Sequence, residues 1–461
     1  MPLALVVEAV ETPTPQGIAS ALSMLIRSGE LPPGTRLPTV RDLARELAVS
    51  PATVSGAWKG LVQAGLIHVR GRAGTYVLEP RTPWLTPRSQ RLADRGVRLA
   101  GAAPRLDLAT GLPDPTLLPE IAAALERIAP RRASVTSYAQ PPLLPELEAP
   151  LRERWPYAPP ALAMVDGAMD GIERSLRAVT RFGDRVVVEN PTFPMMLDLL
   201  DHLHLRAVPV RIDHRGMVPA ALHSALASRP AAVVLQPRAH NPTGAALTMS
   251  RAEELATVLS RHRLARETVV IEDDHTNLVS AAPAVSLGTW LPARTIHVAG
   301  FSKSHGPDLR VAAMSGPAGA IERIVGYRAL GPGWTSRILQ ALLHDLLTSR
   351  ESVAAISAAR YAYFTRQREL ASCLRGHGVD VDARDGLNVW VPVPDEGPAR
   401  ITLAAAGVQV SAGSSFVVSM EDDAQGPGPH SGHHIRVSLG GLREQIPEVA
   451  AAIAAAAQPH G

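Results

Sequence analysis

Thr295-Ile-His-Val-Ala-Gly-Phe-Ser-Lys-Ser304 is the stretch that decides the fold of this chain. Thr295 to Ala299 form a short apolar run rich in β-branched residues, Gly300 ends it, and Lys303 follows at once. Only one other lysine, Lys59, occurs among the 46 basic residues; all the rest are arginine. Arginine can replace lysine wherever only a charge is needed, but its guanidinium cannot form an imine with an aldehyde. A lysine kept just beyond a buried strand is therefore a candidate for covalent attachment of a carbonyl cofactor. On rarity alone, chance survival in an arginine-biased chain accounts for it equally well.

Working outward, three more runs have the same form: Arg185-Val-Val-Val-Glu-Asn, Ala231-Ala-Val-Val-Leu-Gln and Thr268-Val-Val-Ile-Glu-Asp. Each is apolar on both faces and is followed by polar, Gly or Pro residues, the pattern of buried parallel strands in an α/β fold. Ligands in such sheets bind beyond the carboxyl ends of the strands. Asn190, Asn241, Asp273 and Lys303 are placed there. Their chemistry fits pyridoxal 5'-phosphate, which needs a lysine for its imine, a carboxylate at the pyridine nitrogen, a partner for the phenolic oxygen, an aromatic over the ring and a phosphate cup. Lys303 supplies the first. Asp273 is the expected pyridinium partner, held ionised by a nearby cation; its alternative is a helix N-cap.

These residues resemble the type I fold of the aminotransferases over roughly residues 106–457. Asn241-Pro-Thr-Gly resembles the turn whose Asn bonds the phenolic oxygen, and Glu189-Asn-Pro-Thr-Phe-Pro the segment that lays an aromatic, Phe193, on the ring. Gly167-Ala168-Met169 stands at the place of the phosphate-binding loop, where a helix N-terminus suits an anion. Ser302-Lys303-Ser304 through Arg310 resembles the lysine segment, and the resemblance assigns Arg310 to the phosphate. Arg436 matches the position that takes a carboxylate by a bidentate fork, and Tyr138 the position that reaches a neighbouring subunit's phosphate. There are departures. His275 stands where most relatives carry Tyr; a neutral imidazole can still donate to the phenolic oxygen, with its tautomer and charge set by pH and neighbours. Gly300 replaces the usual hydroxyl residue, leaving Ser302 or Ser304 to substitute, and the Tyr138 loop lacks its usual Gly. Together these argue against fast transamination.

The first eighty residues read differently. Ile18, Leu22 and Leu25 fall at helical spacing, as do Val40, Leu43, Ala44 and Leu47, and Val54, Trp58 and Leu61. Ser50 reads as an N-cap, with Pro51 at the first helical position. Leu66–Arg70 and Thr75–Leu78 read as a β-hairpin. Three helices and a hairpin make a winged helix-turn-helix, whose third helix enters the DNA major groove while arginines fix the register on phosphates. Thr53, Ser55 and Lys59 lie opposite the apolar stripe of that helix; Arg36, Arg41 and Arg45 precede it, and Arg70 and Arg72 sit on the wing. Residues 1–100 hold 12 basic and 7 acidic side chains of the chain's 46 and 43, so the module is basic and the rest near neutral. Leu31-Pro-Pro-Gly-Thr-Arg-Leu-Pro-Thr-Val-Arg-Asp, Val49-Ser-Pro-Ala-Thr-Val and Gly74-Thr-Tyr-Val resemble the N-terminal domain of GntR-type repressors. That resemblance implies phosphate or base contacts for Arg36, Arg41 and the exposed face of the third helix. The alternatives are a winged helix used for protein contacts and a merely solvated basic face.

A single Cys373 rules out an intramolecular disulfide and fits a reducing compartment. No apolar run reaches the roughly 18–20 residues of a membrane span, and the start has no basic n-region of a signal peptide. The expectation is a cytoplasmic protein without a membrane role. His430, His433 and His434 lack convergent carboxylates, and no metal is expected.

A winged helix over 8–79, a linker over 80–105 with a short helix near Ser89–Arg98, and an aminotransferase-like domain over 106–457 together resemble the MocR subfamily of GntR-type regulators. The resemblance implies a domain-swapped homodimer that binds double-stranded operator DNA and senses pyridoxal phosphate, or an amino compound reacting with it, through a Lys303 aldimine. The rivals are a working aminotransferase with an accessory DNA-binding domain and a cofactor-storage protein.

Overall fold

The computed structural model describes residues 2–63, 66–69, 74–78, 86, 88, 104–129, 137–418 and 433–458. Two compact units divide the chain, Met1–Thr86 and Pro87–Gly461.

In the first unit, helices α1 (Pro2–Ala9), α2 (Pro15–Ser28), α3 (Val40–Glu46) and α4 (Pro51–Gln63) precede strands β1 (Ile67–Val69) and β2 (Thr75–Val77). Local chemistry sets the boundaries. The Thr14, Thr39 and Ser50 hydroxyls accept from the backbone N–H three residues on, each satisfying a donor that the helix start leaves free. The strands pair antiparallel, Ile67 with Val77 and Val69 with Thr75. Ile18, Leu22, Leu43, Val54, Trp58, Leu61, Ile67 and Val77 close one core, each contributing about 1.5–3 kcal/mol by burial. Val6 of α1 joins that core. This helix is absent from the sequence expectation, although Leu3, Val6, Val7 and Val10 carry its spacing. Arg70, Arg72 and the short helix expected near Ser89–Arg98 lie outside the described residues.

The second unit is built on an eight-stranded sheet: β3 (Ala161–Val165), β4 (Arg185–Asn190), β5 (Arg206–Asp213), β6 (Gly216–Met217), β7 (Ala232–Leu235), β8 (Val269–Asp274), β9 (Thr295–Gly300) and β10 (Ala312–Gly316). Their spatial order is β3-β10-β9-β8-β7-β4-β5-β6. The four runs read from the sequence, β9, β8, β7 and β4, are contiguous and parallel. Alternate residues face two different cores: Val186, Val188, Val234, Ile271 and Val298 enter one, Val187, Val233, Leu235 and Val270 the other. That is why no polar alternation marks these strands.

Helix α5 (Ala168–Val179) follows β3, and the one-turn α6 (Ser302–His305) follows β9. The 27-residue α7 (Arg350–Gly376) leads to a three-stranded antiparallel sheet of β11 (Asn388–Pro392), β12 (Ser411–Ala412) and β13 (His434–Ser438). Val389, Val391, Ile435 and Val437 pack into a core shared with Val449 and Ile453 of α8 (Ile446–Ala457). Trp390 and Arg436, paired across the strands, therefore point to the opposite face. His202 ends the helix Pro194–His202, and His204 occupies a left-handed turn before β5. No described helix is long and apolar enough to cross a membrane.

Candidate cofactor and DNA-contact sites

Period-two alternation explains the order Glu272-Asp273-Asp274-His275. Asp273 follows Ile271 on the face shared with α5; Glu272 and Asp274 face the other way. There Glu272 accepts from His297 Nδ1 at 2.7 Å, and Asp274 is gripped by Arg238 at 2.6 Å with His297 Nε2 3.7 Å away. Burial alone would push His297 down, but the Asp274 and Glu272 carboxylates lift it to about 9. Asp274 is held far below the ordinary carboxylate range, because Arg238 and His297 outweigh its burial.

The cation expected beside Asp273 is thus present one residue on, paired with Asp274. This corrects the reading of Asp273. Its carboxyl is pushed up by burial, which His275 and the Gln236 amide only partly oppose. Asp273 Oδ2 accepts from Gln236 Nε2 at 2.8 Å, while Oδ1, although buried, has no partner among the described residues. His275 Nδ1 is likewise buried without a partner among them. Burial lowers the His275 pKa, favouring the neutral imidazole.

Lys303, on α6, donates from Nζ to the carbonyl of Gly111 at 2.7 Å. Its pKa is lowered to about 8, first by burial and then by the Arg436 charge, with Asp273 opposing. Arg436 is 3% exposed, and its pKa is lowered to about 10 by burial. It donates to Asn241 Oδ1 at 3.2 Å, to Ser411 Oγ at 3.0 Å and to the Ala109 carbonyl, and lies 5.0 Å over the Phe416 ring. No carboxylate pairs with it among the described residues. A buried guanidinium held only by neutral groups is ready for an anionic ligand.

Gly167 caps α5 at φ +109, ψ 163. A Cβ built there would lie 2.6 Å from Arg310 Nη2, so the missing side chain is what lets the guanidinium close over the helix N-terminus. Arg310 itself is at φ +47 and donates to the Asp166 carbonyl at 3.5 Å. Ala168 and Met169 open the helix. At Gly300 a Cβ would meet Ala168 Cβ and His275 Cα at 3.4 Å, an ordinary packing contact. Ser304 is buried and bonded to His305 Nδ1 at 2.8 Å, leaving the half-buried Ser302 as the substitute hydroxyl. Phe193 is half-buried at the N-cap of the helix Pro194–His202. Tyr138 stands apart, 92% exposed, with its ring 5.7 Å from that of Trp334.

Lys303, Asp273, His275, Asn241, Arg310 and the Gly167 cap thus present an amine held by one backbone carbonyl, a carboxyl oxygen and an imidazole nitrogen without partners among the described residues, and a cationic cradle. That donor set fits pyridoxal phosphate. Gln236, Arg238, Glu189 and His297 are not legible as site residues in the sequence, because their value lies in pairings between distant strands. In the first unit, Arg36, Arg41 and Lys59 are exposed and Thr53 and Ser55 half-buried. Thr53 Oγ1 shares its hydrogen bond with Ser50 Oγ at 2.9 Å, and Arg36 packs beside Gly74.

A winged helix joined to a body with the fold of the pyridoxal-phosphate-dependent aminotransferases defines a class of fused regulators. A family model for aminotransferases of class I and II matches residues 103–453, and one for bacterial regulatory proteins of the gntR family matches 14–77. The vitamin B6 salvage pathway transcriptional repressor PtsJ of Salmonella typhimurium is 33% identical over 94% of this chain and 96% of its own length. The HTH-type transcriptional regulator TauR of Rhodobacter capsulatus is 29% identical over 85% and 87%. Among solved structures, the aspartate aminotransferase of Thermus thermophilus with maleate aligns over 77% of this chain and 92% of its own, at 22% identity and TM-score 0.66. The chain belongs to the MocR subfamily of GntR-type transcriptional regulators.

Proposed function

We propose that this regulator holds pyridoxal 5'-phosphate on Lys303 and couples occupancy of that site to operator binding. The carrying observation is the buried Lys303 amine, held by the Gly111 carbonyl and within electrostatic reach of Asp273, whose Oδ1 has no partner among the described residues, together with the Arg310 cradle at Gly167. Asp273 Oδ1 would take the ring nitrogen, His275 and Asn241 the phenolic oxygen, Phe193 the ring face, and Arg310, Ser302 and the backbone N–H groups of Gly167, Ala168 and Met169 the phosphate. When bound, the cofactor supplies an electrophilic carbonyl that amines can reach. Arg436 would seat the carboxylate of an amino-compound effector; the name of PtsJ favours the cofactor itself as a signal. The hydroxyl missing at Gly300 and the imidazole at His275 favour sensing over turnover.

Arg36, Arg41, Thr53, Ser55 and Lys59, with Arg70 and Arg72 of the wing, would meet operator DNA. A domain-swapped homodimer would present two such modules at a fixed spacing. Tyr138 is exposed and would reach the partner's phosphate site in that dimer. We propose domain limits of 8–79, 80–105 and 106–457, with the first extended by α1 (Pro2–Ala9), whose Val6 joins the same core. The test is spectroscopic. Purified protein with the cofactor should show a visible absorbance band that Lys303→Ala abolishes; a band kept in Lys303→Ala would sink the assignment.

A further inference from the structure

We infer that Gln236 is a positioning residue for the cofactor ring, locking the Asp273 carboxylate and the Asn241 turn in one register. The inference rests on the cofactor reading above. Gln236 is 8% exposed and follows β7 directly, beside Asp273, because Leu235 pairs with Glu272. One amide makes both contacts: Nε2 donates to Asp273 Oδ2 at 2.8 Å, and Oε1 accepts from the Asn241 N–H at 2.7 Å. Its own backbone N–H donates to Glu189 Oε2 at 2.8 Å.

These partners allow only one orientation of the amide. A flipped amide would aim its carbonyl at a carboxylate and its NH₂ at an N–H donor. Occupying Oδ2 leaves Oδ1, the oxygen without a partner among the described residues, to face the ring nitrogen. The other titratable groups around Asp273 are His275, Asp274, His297, Glu189 and Lys303. Glu189 is itself pushed up to about 8 by burial, which favours its neutral form and reduces the like charge it presents to Asp273. Among the described residues Gln236 is then the neutral donor that favours the Asp273 carboxylate over its acid, and a carboxylate would keep the ring nitrogen protonated. A protonated ring in turn lowers the proton affinity at the Lys303 nitrogen, which the visible band reports.

The experiment uses full-length Gln236→Glu and Gln236→Met. Three quantities are measured: the pH midpoint of the visible band with cofactor, the cofactor dissociation constant, and the melting temperature without cofactor. Gln236→Glu keeps the shape but replaces the donor by a carboxyl group, and the midpoint should rise by about one pH unit. Gln236→Met removes both contacts; its midpoint should rise too, and its affinity should weaken about tenfold. Cofactor-free melting should stay near wild type for Gln236→Glu. A midpoint equal to wild type in both variants overturns the inference. So does a large loss of cofactor-free melting temperature in both, which would make Gln236 a packing residue. If wild type itself shows no visible band, the cofactor reading has failed, and that outcome is distinct from a failure at Gln236.

Discussion

Gly167→Ala separates backbone strain from cofactor contact. At φ +109, ψ 163 the backbone is in a region that glycine alone occupies readily, so any side chain costs about 1–3 kcal/mol of folding stability. That cost is present with or without cofactor and appears in denaturation, not in affinity. The contact is a second effect. The new methyl would lie 2.6 Å from Arg310 Nη2, the far end of a flexible side chain, so Arg310 swings away and the helix remains. Losing one charge-assisted hydrogen bond to phosphate is worth about 1.5–3 kcal/mol, or roughly 10- to 150-fold in the dissociation constant. Fluorescence titration with pyridoxal phosphate measures it. Gly183→Ala is the control: Gly183 also has positive φ, +82, but nothing lies within 4 Å of the place its new methyl would take. It should lose stability and keep its affinity. Affinity within about twofold of wild type in Gly167→Ala, or an equal loss in Gly183→Ala, would refute the cradle.

Arg238→Ala leaves Asp274 a buried charge without its main partner, and urea denaturation should show a loss of about 3–5 kcal/mol. Lys303 reacts only when unprotonated, so the rate of cofactor capture should climb through pH about 8 and level off well below the ordinary lysine value of 10.5. Because the unfolded chain still binds that proton between these values, the cofactor-free protein should gain stability as pH rises across the window; a capture rate that climbs only near 10.5 contradicts the burial of the amine. Removing the second cause with Arg436→Met should move the midpoint of the capture profile upward, and an unmoved midpoint contradicts that coupling. Lys59→Ala should reduce the salt slope of operator binding by about one without changing sequence preference, and an unaltered slope would remove Lys59 from the interface.

Sequence alone carries the elements whose logic is local. The runs β4, β7, β8 and β9 are legible because burial on both faces demands unbroken β-branched residues, and the cap at Ser50 because it acts within three residues. Lys303 and Asp273 are legible because their chemistry is irreplaceable and they lie beyond or at the end of such runs. The supporting groups are not. Gln236 matters only because β7 and β8 are neighbours, and Arg238 only because alternation turns Asp274, not Asp273, towards it. The error over the cation at Asp273 has that origin: a sequence lists neighbours in order, and a strand sends them to opposite faces.

The central claim is that cofactor occupancy at Lys303 and operator binding are one equilibrium. The most direct measurement is the affinity of the full-length protein for its own upstream DNA at fixed salt, titrated with and without pyridoxal phosphate and repeated with Lys303→Ala. Wild type should change its DNA affinity when the cofactor is added, and Lys303→Ala should not respond. Equal affinities for wild type in both conditions would contradict the account.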